Sequence, residues 1–168
     1  MSEYAVDLPY PNINHLDRNN KYGEMILSDI GGLHSKMNLI SLYFYNSIIF
    51  KDNHELSQIM EGILKIKLIH LKILSQMTFL LGVDPRLWNI QNDTFEYWSP
   101  GYNIYPKHIH SAIENIILQE ENTISILYHQ TNIIKEPIIS NMLKRMILDD
   151  QLHVEILQNY LSHMYKTE

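Results

Sequence analysis

The sequence predicts an all-α protein, a four-helix bundle made of two antiparallel helix pairs joined by a long crossover loop. Three observations predict it. Apolar residues recur at helical spacing through four long segments. The links within each half are short, whereas the link between halves runs from Val83 to Tyr105. The halves also repeat one another: His70-Leu71-Lys72-Ile73-Leu74 returns as His153-Val154-Glu155-Ile156-Leu157, 83 positions later.

The first helix is expected from Tyr22 to Phe50, interrupted only by Gly31-Gly32, a pair that loosens a helix or lets another backbone come close. Its inward stripe is Leu33, Lys36, Ile40, Tyr43 and Phe50. The second helix follows Lys51-Asp52-Asn53, where Asp52 or Asn53 can cap it, and stops near Gly82 before Asp84-Pro85. Its stripe steps by fours and threes through Leu56, Met60, Ile63, Lys67, His70, Leu74, Met77 and Leu81. The third helix is expected from Pro106 to Ile134, with Ile109, Ile113, Ile116, Glu120, Leu127 and Ile134 inward; Glu121 shares the phase of Ile117, Ile124 and Tyr128 instead. The fourth opens at Pro137, which suits a first helical turn. Its stripe of Ile139, Leu143, Met146, Asp150, His153, Leu157, Tyr160 and Met164 repeats that of the second helix.

Residues 1–168 are read as a single domain, with an irregular N-terminal segment over 1–20 and an aromatic crossover over 83–105 that covers the bundle or a subunit contact. A formal charge of −6 and a pI near 5.8, without a basic stripe, argue against nucleic-acid binding. A run of about 18 apolar residues is missing, so no membrane span is expected. The chain has no Cys, which excludes disulfides, thiol chemistry and iron–sulfur centres, and a cytoplasmic location is the expectation.

The two copies of the repeat agree in their apolar residues and differ in charge. Three residues before each His stands Lys67 in the first copy and Asp150 in the second. A carboxylate-x-x-His motif presents both side chains on one helix face, because residues three apart are neighbours there. A second pair of segments, Lys36 to Leu42 and Glu120 to Ile126, shows the same exchange, Lys36 standing where the second half has Glu120. Each ionisable residue lies in an otherwise apolar seam.

This order of residues resembles the ferritin-like superfamily, in which helices one and three carry an inward carboxylate and helices two and four a carboxylate-x-x-His. Leu81-Gly82-Val83-Asp84-Pro85-Arg86 and Tyr97-Trp98-Ser99-Pro100-Gly101 make it similar to the rubrerythrin-like bacterial branch, over Tyr22 to Tyr165. The resemblance implies six di-iron ligand positions at Lys36, Lys67, His70, Glu120, Asp150 and His153. Only two of the four carboxylates remain, which is too few to balance two metal ions. The rubredoxin-type Cys motif of rubrerythrins is missing as well.

Two ammonium groups and two carboxylates make a neutral quartet without an ion, and buried charges persist when so paired. The expectation is therefore a degenerate di-iron site with no cofactor and a non-catalytic structural or interaction role, as a homodimer. The alternative is an oxidoreductase acting on peroxide or oxygen through at most one iron or manganese, held by Glu120, Asp150, His153 and His70. A third reading is lysine-based covalent chemistry in a desolvated pocket; the expected outcome is instead an unmodified chain in which the lysines are structural counter-ions. Lys67 snorkelling to the surface is the bland competing reading. His15, His34, His54, His108, His110, His129 and His163 lack the paired framework and are expected outside the site.

Overall fold

The computed structural model describes residues 3–91 and 94–167. Five α-helices occur among them: α1 Asn20–Gly31, α2 Lys36–Ile49, α3 His54–Leu80, α4 Ile109–Ile133 and α5 Pro137–Thr167. Helices α1 and α2 together take the place of the first expected helix and pack along α3, while α4 packs along α5. The architecture is the expected bundle of two helical pairs.

The interruption expected at Gly31-Gly32 is a full helix end: α1 stops at Gly31 and α2 starts at Lys36. The cause is a close backbone approach. A Cβ on Gly31 would lie 2.5 Å from the backbone nitrogen of Trp88, and one on Gly32 would lie 2.5 Å from the Ser28 carbonyl oxygen. Ser35 then caps α2 by accepting from Asn38. Leu33, expected on the inward stripe, falls in this break, loses the helical phase and is 47% exposed.

Of the two expected caps, Asp52 and Asn53, it is Asn53 that opens helix α3, its side chain accepting from the backbone of Leu56. Beyond its end Gly82 has φ 95°, the left-handed region that glycine occupies without strain. Every residue of the α3 stripe is buried, and so is that of α5 from Ile139 to Tyr160. Glu121 is exposed, as its phase requires.

The crossover is more structured than a loop. Strands β1 Trp88–Gln91 and β2 Thr94–Tyr97 pair antiparallel, Trp88 opposite Tyr97 and Gln91 opposite Thr94. A 3-10 turn follows at Pro100–Tyr102. The segment covers the bundle: Trp98 donates to the Asn38 side chain, Asn103 donates 3.0 Å to the Asn38 carbonyl, and Tyr105 shares a 3.0 Å hydrogen bond with Ser41. Crossover aromatics thus pack on α2.

Two apolar clusters form the core. One joins Ile26, Leu27 and Ile30 to Leu74, Met77, Leu143 and Met146; the other joins Leu39, Leu42 and Tyr43 to Leu56, Met60, Ile113 and Leu157. Between them lies a polar layer of Lys36, Lys67, His70, Glu120, Asp149, Asp150 and His153, all with 0% exposure. Mid-helix residues of α3, α4 and α5, joined by Lys36 from the start of α2, form this layer because the seam switches there from apolar to ionisable.

Candidate functional site

Lys36 enters the layer from the first turn of α2, Lys67 and His70 from α3, Glu120 from α4, and Asp150 and His153 from α5. All six expected positions converge. The Lys67 ammonium lies 2.6 Å from Glu120 Oε2 and 2.5 Å from Asp150 Oδ1, so it bridges the two carboxylates. The Lys36 ammonium pairs with the other oxygen, Asp150 Oδ2. Both lysine side chains are fully buried, which contradicts the snorkelling alternative for Lys67.

Burial pulls the Lys67 ammonium towards neutrality, yet Asp150 and Glu120 together outweigh it and its pKa stands raised. Lys36 is lowered by burial, with Asp150 pulling it back up and Lys67 adding repulsion. Burial opposes the charge on Asp150 too, but Lys36 and Lys67 hold its carboxyl well below the usual range. Glu120 follows the same balance: burial raises it, Lys67 prevails, and it stays ionised. Its second oxygen, Oε1, accepts from the Tyr43 hydroxyl at 2.7 Å. Sequence reading had placed Tyr43 in the seam only as packing.

The histidines take a defined orientation. His153 Nε2 lies 2.8 Å from the Tyr4 carbonyl, which can only accept, so Nε2 carries the proton. Its Nδ1 then turns a lone pair inward, 3.7 Å from Glu120 Oε1 and 4.0 Å from Asp150 Oδ1. Burial, followed by Lys67, lowers its pKa and keeps the ring neutral. His70 is held in place by two carboxylates: Nε2 lies 3.0 Å from Asp149 Oδ2, and Nδ1 faces Asp150 Oδ1 at 3.5 Å. Neither Nδ1 has a hydrogen-bond partner.

A layer of residues that sequence reading missed supports these rings. Asp149 accepts from Tyr10 at 2.6 Å and from the Val6 amide at 2.8 Å, and pairs with Arg145 at 2.6 Å. Burial opposes its charge, but hydrogen bonds from His70, Tyr10 and Arg145 hold its pKa down. Arg145 also donates to the carbonyls of Leu8 and Val6, at 2.8 and 2.6 Å, and lies over the Tyr10 ring. The Arg145–Asp149 spacing of four on one helix was a readable signal. Nothing periodic marked Tyr4 or Tyr10.

The donor set can be weighed against a metal. Glu120, Asp150 and His153 bring one ligand atom each to within 4.8 Å of one another, and the inward lone pair of His153 Nδ1 is the form in which histidine binds metals. The lysines do not fit. The Lys67 ammonium takes up the carboxylate oxygens a bridging ion would use, and two carboxylates cannot balance two ions. A dimetal centre therefore disagrees with the residues present. The other seven histidines do not enter the layer; His15, His54, His108, His129 and His163 are exposed.

No family model and no curated protein matches this sequence. Solved structures do match in shape. The manganese catalase KatB of Anabaena PCC7120 superposes with TM-score 0.82 at 12% identity, over 95% of this chain and 79% of that one. Bacterioferritin of Rhodobacter capsulatus, in a structure with a metal-free dinuclear site and a heme iron, superposes with TM-score 0.76 at 14% identity, over 91% of each chain. Identities this low speak for architecture only. With the helix order, the crossover and the convergence of all six positions, they establish that this chain has the ferritin-like fold.

Proposed function

We propose that this is a rubrerythrin-like member of the ferritin fold in which a buried lysine–carboxylate cluster stands in place of a dimetal centre. Its role is non-catalytic, structural or interactive. The observation that carries this reading is the Lys67 ammonium bound at 2.6 and 2.5 Å to one oxygen each of Glu120 and Asp150. Lys36, Lys67, Glu120 and Asp150 sum to zero charge, and adding Arg145 and Asp149 preserves that balance. Such a layer needs no ion to offset its charges.

A homodimer is part of the proposal, formed through the outer face of α2. Lys36 is the only charged residue of that helix and it points inward, leaving Phe44 and Ile48 exposed at 58% and 52%. In a chain of net charge −6, two copies approach there without bringing like charges together.

The alternative is an oxidoreductase using one iron or manganese ion. Its support is the convergence of Glu120, Asp150 and His153 with an unpartnered His153 Nδ1, together with the manganese catalase and bacterioferritin folds. A cation there competes with Lys67 for the same oxygens, which lowers its affinity. Elemental analysis of protein produced with supplemented iron and manganese separates the readings. The expected result is far below one metal per chain; one per chain supports the alternative, and two overturn the proposal.

A further inference from the structure

We propose that the N-terminal segment Glu3–Leu16 is a strap that gates solvent access to the buried cluster along the seam between α3 and α5. This holds whether or not the cluster ever takes a metal. On its other sides the polar layer is enclosed by apolar core clusters and by packed helices. Along this seam the cover is irregular chain that crosses from helix to helix. Tyr4 reaches His153 of α5, Val6 and Leu8 hang on Asp149 and Arg145, and Tyr10 contacts both His70 of α3 and Asp149 of α5.

Helix α3 is shaped to receive this strap. A Cβ on Gly62 would lie 2.1 Å from the Tyr4 ring, so only glycine leaves the notch that ring fills. The strap is fastened mainly through side chains and isolated backbone groups, and it lacks the continuous hydrogen-bond ladder of a helix. Segments of that kind open locally while packed helices stay closed. Its fastenings are also the groups next to the cluster, since His70 and His153 both bond to it. Opening the strap thus uncovers the two histidines first and Lys67, which lies between Gly62 and His70 on α3, beneath them.

The test is reductive methylation of the full chain with formaldehyde and a borane reductant, reading each lysine by peptide mass spectrometry. Exposed Lys51 and Lys107 serve as internal controls. Gly62→Leu, which expels Tyr4, and Arg145→Met, which releases the Val6 and Leu8 carbonyls, should each speed methylation of Lys36 and Lys67 at least tenfold, with the controls unchanged. Unchanged rates at both buried lysines, alongside faster proteolysis of the strap, would overturn the gate. So would acceleration confined to Lys36, which would mark the α1–α2 break as the route. Should neither variant fold, the native chain decides. Labelling through a strap is nearly independent of sub-denaturing urea, whereas labelling that rises as steeply as global unfolding contradicts it.

Discussion

Lys67 is the residue on which the cluster depends, because it alone among the four charged partners binds both carboxylates. Replacing it by Met removes the bridging cation and leaves Glu120 and Asp150 adjacent, buried and repelling. The expected loss is about 3–5 kcal/mol, read from urea unfolding, since breaking a buried pair strands the remaining charge. A loss below about 1 kcal/mol would mean that the carboxylates are neutralised in some other way.

Asp29 poses the opposite problem at the same scale. It is buried between α1 and α4, receives one 3.0 Å hydrogen bond from Gln130, and its Oδ2 has no partner. Burial pushes its pKa up from 3.8 to about 7, against smaller lowering effects of Gln130 and Lys36. The native chain therefore keeps a proton through a window in which the unfolded chain has lost it. Stability attributable to Asp29 is intact below about pH 4, falls as pH rises, and reaches its full deficit above about pH 7, on the order of 4 kcal/mol. Asp29→Asn should accordingly gain on the native protein between pH 4 and 7 and hold a constant difference above that. A difference that stays flat from pH 4 to 8 would remove the argument.

At the scale of elements, what the sequence disclosed was whatever repeats. The α3 and α5 stripes were legible because each follows one helical phase through buried positions, and both predicted caps of the first pair, Asn53 and Gly82, act at their sites. The break between α1 and α2 was legible as an interruption at Gly31-Gly32, but the backbone that comes close there was not. What converts Gly31-Gly32 from a tolerated pair into a helix end is the backbone of Trp88, some 57 residues away, and no local pattern encodes that approach. The β1–β2 hairpin escaped for a related reason, its strands being four residues each. The strap carries no periodicity at all.

Helix α2 provides the element-scale test. Its outer face is uncharged while the chain as a whole is acidic, so one carboxylate there should separate two copies. Phe44→Glu is expected to convert a dimer to a monomer in sedimentation velocity, with unchanged helical circular dichroism because Phe44 is 58% exposed in the single chain. A native chain that sediments as a monomer, or a dimer indifferent to this change, would contradict the proposed contact.

Across the whole molecule, two apolar cores hold one polar layer between them. The helices set that layer's geometry, and its charges decide what it can contain. The positions of its inner members were legible because a repeat with one exchanged charge reveals both a shared frame and a changed chemistry. Among the outer members Arg145 and Asp149 offered an i,i+4 signal, whereas Tyr10 and Tyr4 were hidden because their contacts span sequence separations such as the 139 residues between Tyr10 and Asp149. Among the described residues no helix is long and apolar enough to cross a membrane.

The central claim is that two ammonium groups replace two metal ions in one frame. It is tested most directly by thermal unfolding of Lys36→Glu/Lys67→Glu with and without ferrous iron, beside the native chain. The double variant places four carboxylates and two inward histidines in the layer, so its ligands repel until cations join them. The account predicts a melting temperature that is low without metal and rises by well over 10 °C with iron, roughly what several kcal/mol of binding produce in a domain of this size. The native chain should melt at the same temperature in both conditions. A double variant equally stable with and without iron, or a native chain that iron stabilises as much, would contradict it.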